Sequence, residues 1–176
     1  MNERGEGDDY LAFVDTAVQR VTERVSGVDP EAMQLVMLFG RVASAMTYDM
    51  ESAVHRPSGW MWAGFRLLFA LWVDGPMDAK RAAEVSGQSR AAISSLVRTL
   101  ERDGLVTKRD DPHDGRSVQL SLTERGRREL AAAYRLHNAR EQEWVDTLSP
   151  TERAALLKVL QHLVETAREP WVKYRD

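Results

Sequence analysis

No cysteine occurs among the 176 residues. That excludes a disulfide framework, a thiolate nucleophile and any cysteine-ligated metal, and it makes an intracellular, cytoplasmic setting the expectation. No apolar run approaches the roughly 20 residues that a membrane-crossing helix needs. The opening stretch, Met1 to Asp9, is polar and acidic and has none of the features of a secretory signal. Histidine is scarce, at positions 55, 113, 137 and 162 only. None of the four has the His-x-x-x-His or Glu-x-x-His spacing that sets two metal ligands on one helix face. A G-x-S-x-G elbow, a P-loop and a dinucleotide glycine fingerprint are all missing, since Ser86-Gly87-Gln88-Ser89-Arg90 lacks the second glycine an elbow requires. The expectation is a protein that is not an enzyme and needs no cofactor and no metal.

Apolar residues supply 43% of the chain, enough for one core with helical additions. The formal net charge is −3, which by itself points away from nucleic acid. Its distribution points the other way: from Gly75 to Leu130 there are 11 basic residues against 9 acidic ones, so that segment carries +2 and the remainder −5.

Within the basic segment, Val118, Leu120 and Leu122 alternate with Ser117, Gln119 and Ser121, the pattern of a half-buried strand. Leu105 to Arg109 is a second short strand, and the intervening Asp-Asp-Pro-His-Asp-Gly is a cluster of turn formers. Two strands cannot stand alone, so helices must cover their apolar face. Ahead of the hairpin, Ser89 to Arg102 fits an amphipathic helix. At about 100° per residue, Ala92, Ile93, Leu96, Val97 and Leu100 share one arc, while Arg90, Ala91, Ser94, Ser95, Arg98 and Arg102 share the opposite one. Glu101 and Asp103 fall just outside this basic arc and no acid interrupts it. Its small residues allow close approach to a surface, and its arginines can reach phosphates or guanine edges. Upstream, Gly75-Pro76-Met77-Asp78 is a turn and helix cap, and Ala79 to Val85 is a short helix stopped at Ser86-Gly87. Short helix, glycine turn, amphipathic helix and β hairpin make a winged helix-turn-helix, with the second helix suited to the major groove and the hairpin carrying Arg116 and His113 toward the flanking minor groove. The fold class expected is mainly α with a small antiparallel β wing, flanked by N- and C-terminal dimerisation helices.

These residues resemble the MarR family of bacterial transcriptional regulators, over roughly positions 29–168. The resemblance rests on Gly75-Pro76, Ala82-Ala83-Glu84, Ser89-Arg90, Ile93-Ser94, Leu96-Val97, Leu100-Glu101, Gly104-Leu105-Val106, Asp114-x-Arg116 and Leu122-Thr123-x-x-Gly126. It implies a homodimer on a pseudo-palindromic double-stranded operator, a repressor relieved by a small-molecule effector. It also implies that Ser89, Arg90, Ala91, Ser94, Ser95, Arg98 and Arg102 of the helix, with Lys108, Arg109, His113, Asp114 and Arg116 of the wing, face DNA. Asp114 would orient Arg116. Ser95 and Gly115 depart from the family pattern, which commonly has long polar or basic residues there, so DNA affinity would rest more heavily on Arg116.

The remaining segments carry helical stripes. Asp29-Pro30 starts a helix through Leu35, Phe39, Val42, Met46 and Ala53 that ends near Pro57. Thr123 caps a long helix with Leu130, Tyr134, His137, Trp144 and Val145, and Ser149-Pro150-Thr151-Glu152 is a capping box before Leu156, Val159, Leu160 and Leu163. Such faces need more cover than a small winged domain provides, which favours a C2 dimer. Tyr10 to Val25 reads as a further amphipathic helix; with six acids against three bases in its first 27 residues, the chain's start is ill suited to a membrane surface. The divisions expected are an extension over 1–28, a linking and dimerisation helix over 29–57, the winged domain over 58–122 and dimerisation helices over 123–176. Ser58 to Val73 is apolar nearly all round and must be buried on several sides. The family resemblance places it beside the effector cleft, making Arg41, His55, Trp60, Trp62 and Trp72 candidates for holding an aromatic or anionic effector. A metal-responsive regulator using His137 or His162 across subunits, and a winged-helix adaptor that does not bind DNA, are the alternatives.

Overall fold

The computed structural model describes residues 7–110 and 118–172. Helices α1 (Gly7–Arg24) and α2 (Pro30–Met50) make an N-terminal unit that ends at Asp49. The turn between them is built from residues chosen for it. Gly27 takes φ 79°, and the Asp29 carboxylate accepts from the backbone N–H groups of Glu31 and Ala32 at 3.0 and 3.1 Å, with Pro30 opening the helix. The two helices meet through Tyr10, whose hydroxyl donates to the Met37 carbonyl at 3.3 Å and whose ring carries the Arg41 guanidinium at 4.9 Å. The stripe of Leu35, Phe39 and Val42 is exposed in the single chain, at 62, 55 and 50%.

The second unit, from Met50 onward, holds the core. It begins with a π-helical turn, Glu51–His55, and continues through α3 (Trp62–Val73), β1 (Met77–Asp78), α4 (Ala79–Ser86), α5 (Arg90–Arg102), β2 (Val106–Asp110), β3 (Val118–Leu122), α6 (Glu124–Val145) and α7 (Pro150–Thr166). The three strands form an antiparallel sheet in the order β1-β3-β2, with Met77 opposite Leu120 and Val106 opposite Leu122. The hairpin was expected as a pair; the third strand is an addition, because two residues are too short for alternation to register. The helix expected from Ser58 starts only at Trp62. Gly59 adopts φ 85° there, and the Trp60 N–H returns to the His55 carbonyl at 2.9 Å, closing a turn. Val118, expected on the covered face with Leu120 and Leu122, is 45% exposed, since it pairs with Asp110 at the outer end of the hairpin.

Leu67, Leu68 and Leu71 of α3 are buried among Ile93, Val97 and Leu100 of α5, Leu105, Val106, Leu120, Leu122 and Leu130. Helix α3 is therefore the central rod on which the helix-turn-helix, the sheet and α6 all pack. Thr123 joins sheet to helix: its hydroxyl donates to the Gly104 carbonyl at 2.7 Å and accepts the Gly126 N–H at 2.9 Å, capping α6. Helix α7 starts at the expected capping box, but none of its residues is buried. Among the described residues, no helix is long and apolar enough to cross a membrane.

Candidate nucleic-acid interface and cavity

Helix α5 is set by its ends. The Ser89 hydroxyl accepts the Ala92 N–H at 3.2 Å, and Gly87, at φ 61°, terminates α4 three residues before α5 begins. Ile93, Val97 and Leu100 anchor the inner face, while Arg90, Ala91, Ser94, Ser95, Arg98 and Arg102 are all exposed. Ser94 donates its hydroxyl back to the Arg90 carbonyl at 3.0 Å, which keeps that side chain short against the helix surface. Arg90 and Arg98 make no ion pair among the described residues, so their guanidinium groups stay available to an external anion.

The acids beside the arc take two of the predicted cations. Asp103 accepts from Arg102 Nε at 3.0 Å, and Glu101 accepts from Lys108 Nζ on β2 at 2.8 Å. Arg102 and Lys108 thus sit at the margin of the basic surface and can meet an external anion only by leaving a partner. Arg109 is exposed on β2. His113, Asp114 and Arg116 lie outside the described residues.

A second feature lies between α3, the end of α4 and α6. A cavity of about 380 Å³ is lined by Trp62, Phe65, Arg66, Phe69 and Asp74, by Val85 and Ser86 at the end of α4, and by Tyr134, His137 and Glu141 of α6. Its aromatic wall is continuous, with Phe65 and Phe69 stacked at 5.8 Å and Phe69 and Tyr134 at 5.3 Å between ring centroids. Beside the wall runs a chain of polar groups, two buried histidines that end on the part-exposed Glu141. Glu141 pairs with His137 Nε2 at 3.1 Å, and His137 Nδ1 lies 3.1 Å from His55 Nε2. The carboxylate can only accept, so the proton order follows: His137 Nε2–H donates to Glu141, and His55 Nε2–H donates to the bare His137 Nδ1. His55 Nδ1 is then also bare, in keeping with its lack of a hydrogen-bond partner. His55 is fully buried, stacked 4.1 Å from Phe65 and 5.2 Å from Trp62. Burial first, and the neighbouring His137 second, pull its pKa down to about 4. Burial also lowers that of His137, against the opposing pull of Glu141.

Of the five residues named for an effector, Trp62 lines this cavity and His55 stacks behind it. Trp60 instead borders a smaller cavity of about 280 Å³ with Ser58, Glu129 and Leu136. Trp72 packs edge-on against Phe69 and Tyr134, and Arg41 lies over Tyr10 in the N-terminal unit. Sequence reasoning missed Arg66 altogether, because a lone arginine in an apolar helix reads as its solvent-facing residue. Both ring nitrogens of His137 are engaged, and no cluster of three or more metal-binding side chains occurs among the described residues.

Residues 63–117 match the family model for the MarR family. The HTH-type transcriptional regulator YwaE of Bacillus subtilis is 28% identical over 141 residues, spanning 80% of this chain and 82% of its own. Among solved structures, the transcriptional repressor CouR, bound to a 23-mer DNA duplex, is 28% identical with a TM-score of 0.68, over 74% of this chain and 92% of its own. The PcaV transcriptional regulator of Streptomyces coelicolor, in complex with its natural ligand, is 25% identical with a TM-score of 0.65, over 82% of this chain and all of its own.

Proposed function

Given that this chain belongs to the MarR family of winged helix-turn-helix transcriptional regulators, we propose that it is a homodimeric repressor whose hold on DNA is released by a small ligand. Two copies of α5 enter successive major grooves of a pseudo-palindromic operator, and the hairpin of each reaches the adjoining minor groove. The observation that carries this reading is the outer face of α5. Arg90 and Arg98 project from it beside Ser94 and Ser95, with no carboxylate partner among the described residues. Cations at the N-terminal half of such a helix meet base edges, and their neighbours meet phosphates. Ser89, Ala91, Arg102, Lys108, Arg109, His113, Asp114 and Arg116 complete the proposed contact set, with Arg116 at the minor groove.

Dimerisation is supported by apolar faces the single chain leaves open, Leu35, Phe39 and Val42 on α2 and Leu157 and Val164 on α7. Release is assigned to the cavity between α3 and α6, whose volume suits a compact ligand and whose aromatic wall suits a planar one. The DNA-bound and ligand-bound neighbours support the same division of labour. Selection of binding sequences from a pool of random duplexes by the immobilised protein tests the reading. The expected result is an inverted repeat with half-sites about one helical turn apart and affinity that falls steeply with salt. Failure to enrich any sequence over several rounds overturns it and leaves a winged-helix adaptor in its place.

A further inference from the structure

Long side chains on the outer face of α5 are few. At about 100° per residue, the midline of the inner face, drawn through Ala92, Ile93, Leu96, Val97 and Leu100, lies opposite a line that runs through Ala91 and Arg98. Ser94 and Ser95 flank that line between the two. Both are short, and hydroxyls on this face turn inward: Ser94 donates to the Arg90 carbonyl at 3.0 Å and Thr99 to the Ser95 carbonyl at 3.5 Å. What projects furthest from the helix is therefore arginine.

Arg90, Arg98 and Arg102 do not project alike. Arg102 lies near the outer line but is held by Asp103 at 3.0 Å. Arg90 sits in the first turn, about 90° round the helix from the line, so it faces a side wall of any groove that the outer face enters. Arg98 is exposed, lies on the line itself and has no carboxylate partner among the described residues. Long side chains on a helix lean toward its N-terminus and cover the preceding turn. For Arg98 that turn holds Ser94 and Ser95, which leave a guanidinium clear ground over the first half of the helix.

We propose that Arg98 is the base-reading residue of this protein: its guanidinium spans O6 and N7 of one guanine in each operator half-site, while Arg90 holds a phosphate at the groove wall. This rests on the repressor reading and names both the base that is selected and the residue that selects it. Guanine alone presents two adjacent acceptors in the major groove, and a guanidinium fork matches them. Adenine sets a donor beside its N7, cytosine offers a donor, and thymine offers one acceptor beside a methyl group. A glutamine at this position would match adenine instead.

Selection from random duplexes, run in parallel with the wild type, Arg98→Gln and Arg90→Ala, tests this. The wild type is expected to enrich an inverted repeat with a fixed guanine in each half, and Arg98→Gln the same repeat with adenine at that position alone. Arg90→Ala should keep the guanine. Anisotropy titrations then measure single changes in the wild-type duplex at low salt, where phosphate contacts hold weak complexes together. Replacing the guanine by 7-deazaguanine removes N7 and leaves base pairing intact. That change should weaken wild-type binding at least about fivefold and hardly affect Arg98→Ala. Arg90→Ala should weaken binding to every duplex alike and lower the slope of log affinity against log salt by about one. A wild-type repeat without a fixed guanine, or a guanine preference that survives in Arg98→Gln or is lost with Arg90→Ala, would overturn the inference. So would equal 7-deazaguanine effects in the wild type and Arg98→Ala, or loss of all duplex binding by the Arg98 variants at low salt. Failure of the wild type to enrich any sequence overturns the repressor reading beneath it.

Discussion

His55 Nε2 and His137 Nδ1 lie 3.1 Å apart although 82 positions separate them in sequence. This contact ties the π-helical turn at Glu51–His55 to the middle of α6. Both ends of the tie are constrained. Glu51 accepts from Arg56 Nε at 3.0 Å and from the Trp62 N–H at 3.2 Å, which lowers its pKa and fixes the turn. Glu141 fixes the proton on His137.

A neutral, buried histidine makes folding depend on acid. The folded pKa of His55 is about 4, against 6.5 for the free side chain, so between those values the unfolded chain binds more protons than the folded one. Stability is then complete above about pH 6.5, falls as the pH drops toward 4 and levels off below it, by on the order of 3 kcal/mol for this residue. Urea denaturation of the wild type and of His55→Leu across pH 4 to 7 checks this. The variant should show a shallower loss, and parallel curves would refute the assignment.

Gly126 sits in α6 where helix propensity would favour alanine, yet a β-carbon there would collide with the Leu105 carbonyl oxygen. Because the obstacle is backbone held by the Thr123 hydroxyl on the neighbouring carbonyl, the sheet cannot yield cheaply. Gly126→Ala is expected to destabilise by about 3 kcal/mol. Thr123→Val, which loses a cap and keeps the shape, should cost about 1 kcal/mol. Chemical denaturation should preserve that order, and a neutral Gly126→Ala would show that the Leu105 backbone gives way to α6 at little cost.

What the sequence made legible was local. Asp78, Ser89, Thr123 and Ser149 each cap the helix that their spacing predicts, because a cap is a contract between residues two or three apart. The basic arc of α5 was likewise visible, since a 3.6-residue period separates its two faces. Distant contacts were not. His55 and His137 share no pattern, and the guanidinium of Arg66 meets a turn 21 positions further along the chain. In the apolar run from Trp60 to Trp72, hydrophobicity on every side gave no way to tell core Trp60 from cavity Trp62.

The ion pairs beside α5 rank its arginines. Arg90 and Arg98, free of carboxylates among the described residues, should each cost about 1 to 3 kcal/mol of operator affinity when changed to alanine. Any of them that meets a phosphate should also lower the slope of log affinity against log salt by about one. Arg102→Ala should cost less, because Arg102 must first leave Asp103. Anisotropy titrations at several salt concentrations would give the order, and an Arg102 effect matching that of Arg98 would contradict it.

Dimerisation makes the most far-reaching demand on the surface. The chain weighs 19.9 kDa, and light scattering should return about twice that at micromolar concentration if the open apolar faces close on a second copy. Phe39 on α2 and Val164 on α7 are more than half exposed, so a charge placed at either should leave the fold of one chain intact while setting a carboxylate into the interface. Phe39→Glu and Val164→Glu are therefore expected to retain helical circular dichroism, to scatter as monomers and to lose operator affinity far more steeply than any single arginine variant, since each half-site would then bind alone. Dimers that persist in both variants would place the interface elsewhere on the molecule, and wild-type monomers at all concentrations would remove the symmetry on which an inverted-repeat operator depends.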